Sequence, residues 1–300
     1  MLELPFSLLS PPDAVPGMDA RMLVAVAFTG AAAYYDIFNK KWVPDALLWC
    51  FLGAALLLNI IFFDQALFVS ALAVAIIVAA ITYLLYRMGQ LGGADVLVMA
   101  SIALAIPYLP KPLLAAAQPV PYPFFLSILA PTGIAFILHM LCRFLPYISR
   151  KLAKGEVKFT AEKVAGPVIV FAALVAFGFM APSLPVSLPP AYFAVISFLG
   201  AALIFFSLFM PEIKASMVEK LPVSRLQCED VLALEQMPLL AKKLSLAPVI
   251  SEKTIAALKK AKVKSVPVYT GMPFFLPYLF FGLLFTLLFG DLIYYVAVGF

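Results

Sequence analysis

Leu91-Gly92-Gly93-Ala94-Asp95 runs directly into the apolar stretch Val96 to Leu104. It sets a carboxylate where a glycine-broken loop feeds an apolar helix. A second carboxylate closes an earlier apolar run, in Ala33-Tyr34-Tyr35-Asp36. Ionisable groups at membrane depth are costly and rare, so each is a functional candidate by default.

The composition says that these runs belong in a membrane. Of 300 residues, 64% are hydrophobic and 12% charged, and the mean hydropathy is +1.05. A soluble domain is closer to half apolar and a quarter charged. Runs long enough to span, roughly 20 residues each, occur near 21–37, 46–63, 66–86, 95–115, 123–145, 165–183, 190–210 and 272–298. Pro107 and Pro131 fall inside the fourth and fifth, where proline kinks or breaks a helix. The expected architecture is an all-α polytopic membrane protein carrying a small mixed cytoplasmic domain.

Charge orients it. With the N-terminus outside, 19 of the 21 Lys and Arg fall on the cytoplasmic side and only Arg21 and Lys111 outside, as positive-inside topology requires. The net charge of +5 is explained by these loops without invoking nucleic acid. Met1 to Ala20 has no basic n-region, unlike a cleaved signal peptide. Asp36 and Asp95 then both lie at the inner membrane face, because spans two and three return the chain to the side it left. They meet if spans one and four are neighbours.

Three segments follow. Residues 1–210 form a transmembrane core with a basic connection at 147–164. Residues 211–271 form a small cytoplasmic domain, and 272–300 a last span. In the small domain, Leu221-Pro222-Val223 and Val263 to Val268 read as strands, and Val231 to Leu244 and Ser251 to Lys262 as helices. Ser251 suits a helix start and Lys259, Lys260 and Lys262 its end, where the dipole favours cations.

The chemistry open to this chain is narrow. Two carboxylates sharing one site can perform aspartic proteolysis. The ionised one takes a proton from water, and the protonated one hydrogen-bonds to the scissile carbonyl. Close like charges oppose double ionisation, so the pair titrates as a unit. Cys50, Cys142 and Cys228 form no CxxC pair and read as single buried or loop thiols. The single histidine, His139, falls inside an apolar run and reads as a helix-helix contact. No metal site and no cofactor are expected. Asp45 reads as a cap or interfacial residue, and Asp291 as a structural polar contact. Asp95 also has a capping reading, as a residue at a helix start. Asp36 is harder to explain structurally, since a helix C-terminus disfavours negative charge. Gly92 and Gly93 would free the backbone and let an extended substrate approach closely.

Tyr35-Asp36-Ile37, Lys40-Lys41, Val43-Pro44-Asp45 and Gly92-Gly93-Ala94-Asp95-Val96 together resemble the archaeal prepilin and preflagellin (prearchaellin) peptidases. These are GxGD-class membrane aspartic proteases related to type IV prepilin peptidases. Pro222-Val223, Leu226, Asp230-Val231-Leu232 and Gly271-Met272-Pro273-Phe274 resemble the C-terminal part of archaeal members. The resemblance implies that Asp36 and Asp95 are the catalytic pair and that Gly92 is the first glycine of the motif. Ala94 stands where the motif has its second glycine. A compact member has six spans, so six to eight are expected here. The implied substrates carry a short basic leader before an apolar helix, and they are cut at that boundary before assembly into a pilus or archaellum. The four-cysteine zinc segment of bacterial relatives is missing, so proteolysis without methylation is expected.

Three other readings stand beside this one. A presenilin or signal-peptide-peptidase-like protease would place its aspartates on consecutive spans and add a Pro-Ala-Leu motif, which this chain lacks. An ion- or proton-coupled transporter would use Asp36, Asp95 and Asp291. A structural partner in a pilus machine would use 211–271 for docking.

Overall fold

The computed structural model describes residues 15–39, 42–116, 120, 122–157, 159–180, 189–228, 230–244, 246–270 and 273–298. The protein is mostly helical. It divides into two compact units, Met1–Gly133 with Val218–Asp291, and Ile134–Met217 with Leu292–Phe300.

The first unit is built around one short helix. Helices α1 (Met18–Phe38), α2 (Asp45–Ile61) and α3 (Gln65–Arg87) surround α4 (Gly93–Ala105). Every α4 residue from Val98 to Ala105 is buried, as befits a helix apolar on all sides. Thirteen residues span about 20 Å, well short of the roughly 30 Å of a bilayer core. The predicted span 95–115 is thus cut at Ala105. The cause is Pro107, which holds Ile106 in the extended region (φ −123°, ψ 90°).

A helix that stops inside the protein exposes its last carbonyls, and these need donors. Two polar side chains supply them. Arg21 of α1 donates through Nη1 to the Ala105 carbonyl (2.9 Å) and to Asn59 Oδ1 (3.1 Å). Asn59 of α2 donates through Nδ2 to the Leu104 carbonyl (2.9 Å) and to Ala55 in its own helix (2.8 Å). Arg21 and Asn59 are almost completely buried. The Arg21 charge also lies at the negative end of the α4 dipole.

The face α1 turns inward is Arg21, Ala25, Thr29, Ala32, Ala33 and Asp36, a stripe at helical spacing. Its small side chains allow close approach, the usual way helices pack in lipid. Helix α10 (Leu276–Phe289) packs on α1 and on the start of α5 (Phe124–Ala153). A Cβ at Gly282 would stand 2.8 Å from the Ile128 carbonyl and collide with Thr132 Oγ1. The predicted span 272–298 is broken as well. Gly290, at φ 87°, ends α10, and α11 (Leu292–Val298) follows as a separate helix. Asp291 at this break is fully buried and accepts hydrogen bonds from Tyr122 (2.8 Å) and Ser127. After α4 the chain donates from Leu113 and Leu114 to the Leu287 and Leu288 carbonyls (3.1 and 2.8 Å).

Residues 218–270 fold onto their own small core. Strands β1 (Val218–Pro222) and β2 (Ser265–Tyr269) pair antiparallel, with Val218 opposite Tyr269. Helices α8 (Pro238–Leu244) and α9 (Glu252–Lys260) complete it. Val223, Leu226, Leu232, Ile250, Leu258, Val266 and Val268 form the interior. Ser251 caps α9, its hydroxyl accepting from the Thr254 N–H (3.3 Å). The helix expected over 231–244 is confined to α8. Val231 and Leu232 instead bridge to Val249 and Val268, and Pro238 takes the first helical turn, where its missing N–H costs nothing.

In the second unit, α6 (Ala161–Met180) and α7 (Pro190–Met217) pack together and are tied by Lys163–Glu212 (2.7 Å). The basic connection expected at 147–164 is shorter, because α5 runs on to Ala153. Likewise α7 runs on to Met217, past the expected boundary at 210. Among the described residues, four helices are long and apolar enough to cross a membrane: Gln65–Arg87, Phe124–Ala153, Lys163–Met180 and Tyr192–Met217. Helices α2, α4 and α10 are apolar but shorter.

Two substitutions separate crowded from open glycines. Gly282→Ala should lower stability by several kcal/mol, since backbone must move, whereas Gly53→Ala on α2, with nothing within 4 Å, should add about 0.5–1 kcal/mol. Asn59→Leu should cost about 1–3 kcal/mol by orphaning the Leu104 carbonyl. Thermal unfolding in detergent reads all three.

Candidate active site

Asp36 lies in the last turn of α1 and Asp95 in the first turn of α4, each 7% exposed. The two helices pack against each other. The Arg21–Ala105 hydrogen bond fixes their direction, because it joins the start of α1 to the end of α4. The helices therefore run antiparallel. Measured from that bond, Asp36 is about 22 Å along α1 and Asp95 about 15 Å along α4. Both carboxylates consequently belong to the same end of the bundle, opposite Arg21.

Aromatic side chains mark that end. Tyr34 and Phe38, on either side of Asp36 in α1, and Trp42 just beyond the helix are exposed, and the Tyr34 and Phe38 rings pack tilted at 4.7 Å between centroids. Exposed aromatics of this kind favour the membrane–water boundary. Lys40 and Lys41, the basic pair of the sequence motif, lie outside the described residues. So do Gly271 and Met272.

The two acids sit in opposite fields. Asp95 Oδ2 accepts the Gly92 N–H (2.8 Å), and the α4 N-terminus favours negative charge there. This is the reciprocal half of a capping box, so Asp95 has a structural role in addition to any chemical one. Asp36, at a C-terminus, gains no such help from its helix.

The loop ahead of Asp95 differs from expectation in where its glycines matter. Gly92 has ordinary extended angles (φ −81°, ψ 158°) that any residue adopts. Gly93 and Ala94 already belong to the first turn of α4. Alanine in that turn is thus conformationally favourable, and the departure from a second glycine carries no backbone penalty. The residue that needs glycine is Gly89, at φ 73°, which the sequence reading passed over. It ends α3 in a Schellman motif, with Gly89 N–H donating to Tyr86 (2.8 Å) and Gln90 N–H to Leu85 (3.0 Å).

Other candidate residues stand apart from this pair. Asp45 is exposed in the first turn of α2. His139, expected as a helix-helix contact, is on the exposed side of α5. Cys50, Cys142 and Cys228 are free and exposed, so none is the buried thiol that was one expectation. Among the described residues no group of three His, Cys, Asp or Glu is arranged to hold a metal. Sequence reasoning also missed the roles of Arg21 and Asn59. A buried arginine on the same stripe as Asp36, at multiples of a helical turn, was the available signal.

This is a helical, membrane-type protein with a pair of buried carboxylates at one end of its central helices. Residues 23–139 match the model of the type IV leader peptidase family. That segment contains α2, α3, α4 and both aspartates, and it is about two-fifths of the chain. No curated protein and no solved structure matched the chain.

Gly89→Ala should destabilise the protein by about 1–2 kcal/mol, from the left-handed backbone alone. Gly92→Ala, whose Cβ would meet only Asp95 Oδ2 at 3.3 Å, should cost less. Denaturation midpoints of the two variants make the comparison.

Proposed function

We propose that the protein is a membrane aspartic endopeptidase that removes short basic leaders from pilin-like or archaellin precursors, using Asp36 and Asp95 as its catalytic pair. The observation that carries this reading is the pairing of α1 with α4, which brings two buried acids from distant parts of the chain to one end of one bundle. The family match over the same helices supports it.

The opposed helix fields suggest a division of labour. Asp95, favoured as a carboxylate, accepts a proton from the attacking water. Asp36 carries the shared proton and donates it toward the scissile carbonyl oxygen. Water oxygen bonds to the carbonyl carbon, the C–N bond then breaks, and the departing amine takes up a proton. The reaction needs no metal or cofactor.

In this reading the carboxylates face the cytoplasm and the N-terminus lies outside, as the distribution of Lys and Arg requires. The scissile bond of a precursor lies just outside its own apolar helix. An acid pair bordered by interfacial aromatics suits that depth. Residues 218–270 then form a cytoplasmic domain beside the site.

The experiment is cleavage of leader-bearing pilin-like precursors by purified protein. Asp36→Asn and Asp95→Asn should each reduce cleavage by at least about a hundredfold in folded protein. Ala94→Gly should remain active. Full activity in either Asn variant removes that residue from the mechanism. Activity lost in the glycine variant means that the loop has been misread.

A further inference from the structure

Only Gln90 and Leu91 separate Gly89 from Gly92, whose N–H holds Asp95. Gly89 is pressed against the 218–270 fold. A Cβ there would stand 3.1 Å from Val231 Cγ1 and 3.4 Å from Pro248 Cβ. These two positions are firmly held. Val231 bridges to Val249, and its carbonyl accepts the Tyr269 N–H (2.8 Å). The Pro248 carbonyl accepts the Leu232 N–H (2.8 Å). Both partner residues join the paired strands: Tyr269 ends β2, and Leu232 bridges to Val268. The contact therefore links the α3–α4 turn to the hydrogen-bonded network that joins residues 231–232 and 248–249 to β2.

The turn has limited support of its own. Met88 and Gln90 are exposed and Leu91, half-buried, is the one apolar side chain of residues 88–91 that packs on the main core, so little apolar burial fixes the turn from that side. Loops with few buried contacts open at low free energy. A turn feeding a helix whose first turn carries a working carboxylate has to be held more firmly, because displacements near 1 Å are costly in catalysis.

We propose that residues 218–270 act as a brace on the α3–α4 turn, with Val231 and Pro248 as positioning residues that set the orientation of Asp95 through Gly89 and Gly92. The brace touches no reacting atom. It acts by narrowing the range of backbone geometries open to residues 88–92. The geometric claim stands on the contact alone, and its catalytic consequence rests on the protease reading above.

Hydrogen-exchange mass spectrometry on the full chain in detergent tests it. Val231→Ala removes the methyl groups that meet Gly89. It should raise amide exchange in residues 88–92 by about tenfold or more, leave exchange in the first half of α3 unchanged, and be reversed by Val231→Ile. With a cleavable precursor, the same variant should lower kcat while KM stays near wild type. Unchanged exchange in 88–92, while residues 218–270 themselves loosen, would show that the Schellman turn holds alone and would overturn the brace. A faster turn with wild-type kcat would overturn the positioning of Asp95. A wild-type protein that cleaves no precursor sinks the protease reading, and the exchange result still decides the contact.

Discussion

Helix α4 ends inside the protein, and the Arg21–Asn59 pair is what makes that ending tolerable. In an apolar surrounding, a helix cannot leave its last carbonyls without donors. Arg21 and Asn59 bring those donors from α1 and α2. Their hydrogen bonds also fix which ends of α1 and α4 lie together. The direction of the α1–α4 pair follows, and with it the side of the bundle on which Asp36 and Asp95 appear. One polar cluster at one end thus governs the acid pair at the other.

Between those ends the packing is close. The α1 stripe of alanines and Gly282 on α10 let backbones approach where lipid offers no hydrophobic reward for association. Specificity then comes from shape, supplemented by a few satisfied polar groups. Asp291 with Tyr122 and Ser127 is one of these. Its place at the break after α10 explains an acid within an otherwise apolar C-terminal run.

Much of this was legible in the chain. Hydropathy found α1, α2 and α3 to within a few residues, because an amphipathic or apolar run needs no tertiary information to declare itself. The second strand, expected at 263–268 and found at 265–269, and the Ser251 cap were also readable from local pattern, whereas the first, expected at 221–223, lies at 218–222 and Val223 already belongs to a 3-10 turn. Other features were set by individual residues acting against the run they sit in. Pro107 stops α4, Gly290 splits the last apolar stretch, and Pro238 delays α8. The backbone requires its glycine at Gly89 rather than at Gly92 or Gly93, since conformational freedom matters where φ is positive and dihedral angles are not written in a dipeptide.

The sequence by itself determined that this is a membrane-type helical protein with acids at two helix ends, because composition and hydropathy are sums over local residues. It also carried the match of residues 23–139 to the type IV leader peptidase family model. Only the tertiary structure decided that α1 and α4 are antiparallel neighbours, that Arg21 and Asn59 close a helix end, and that the 218–270 fold rests on Gly89. Each of these is a contact between residues tens to more than a hundred positions apart. Such contacts depend on which helix faces pack together, and no local pattern carries that information.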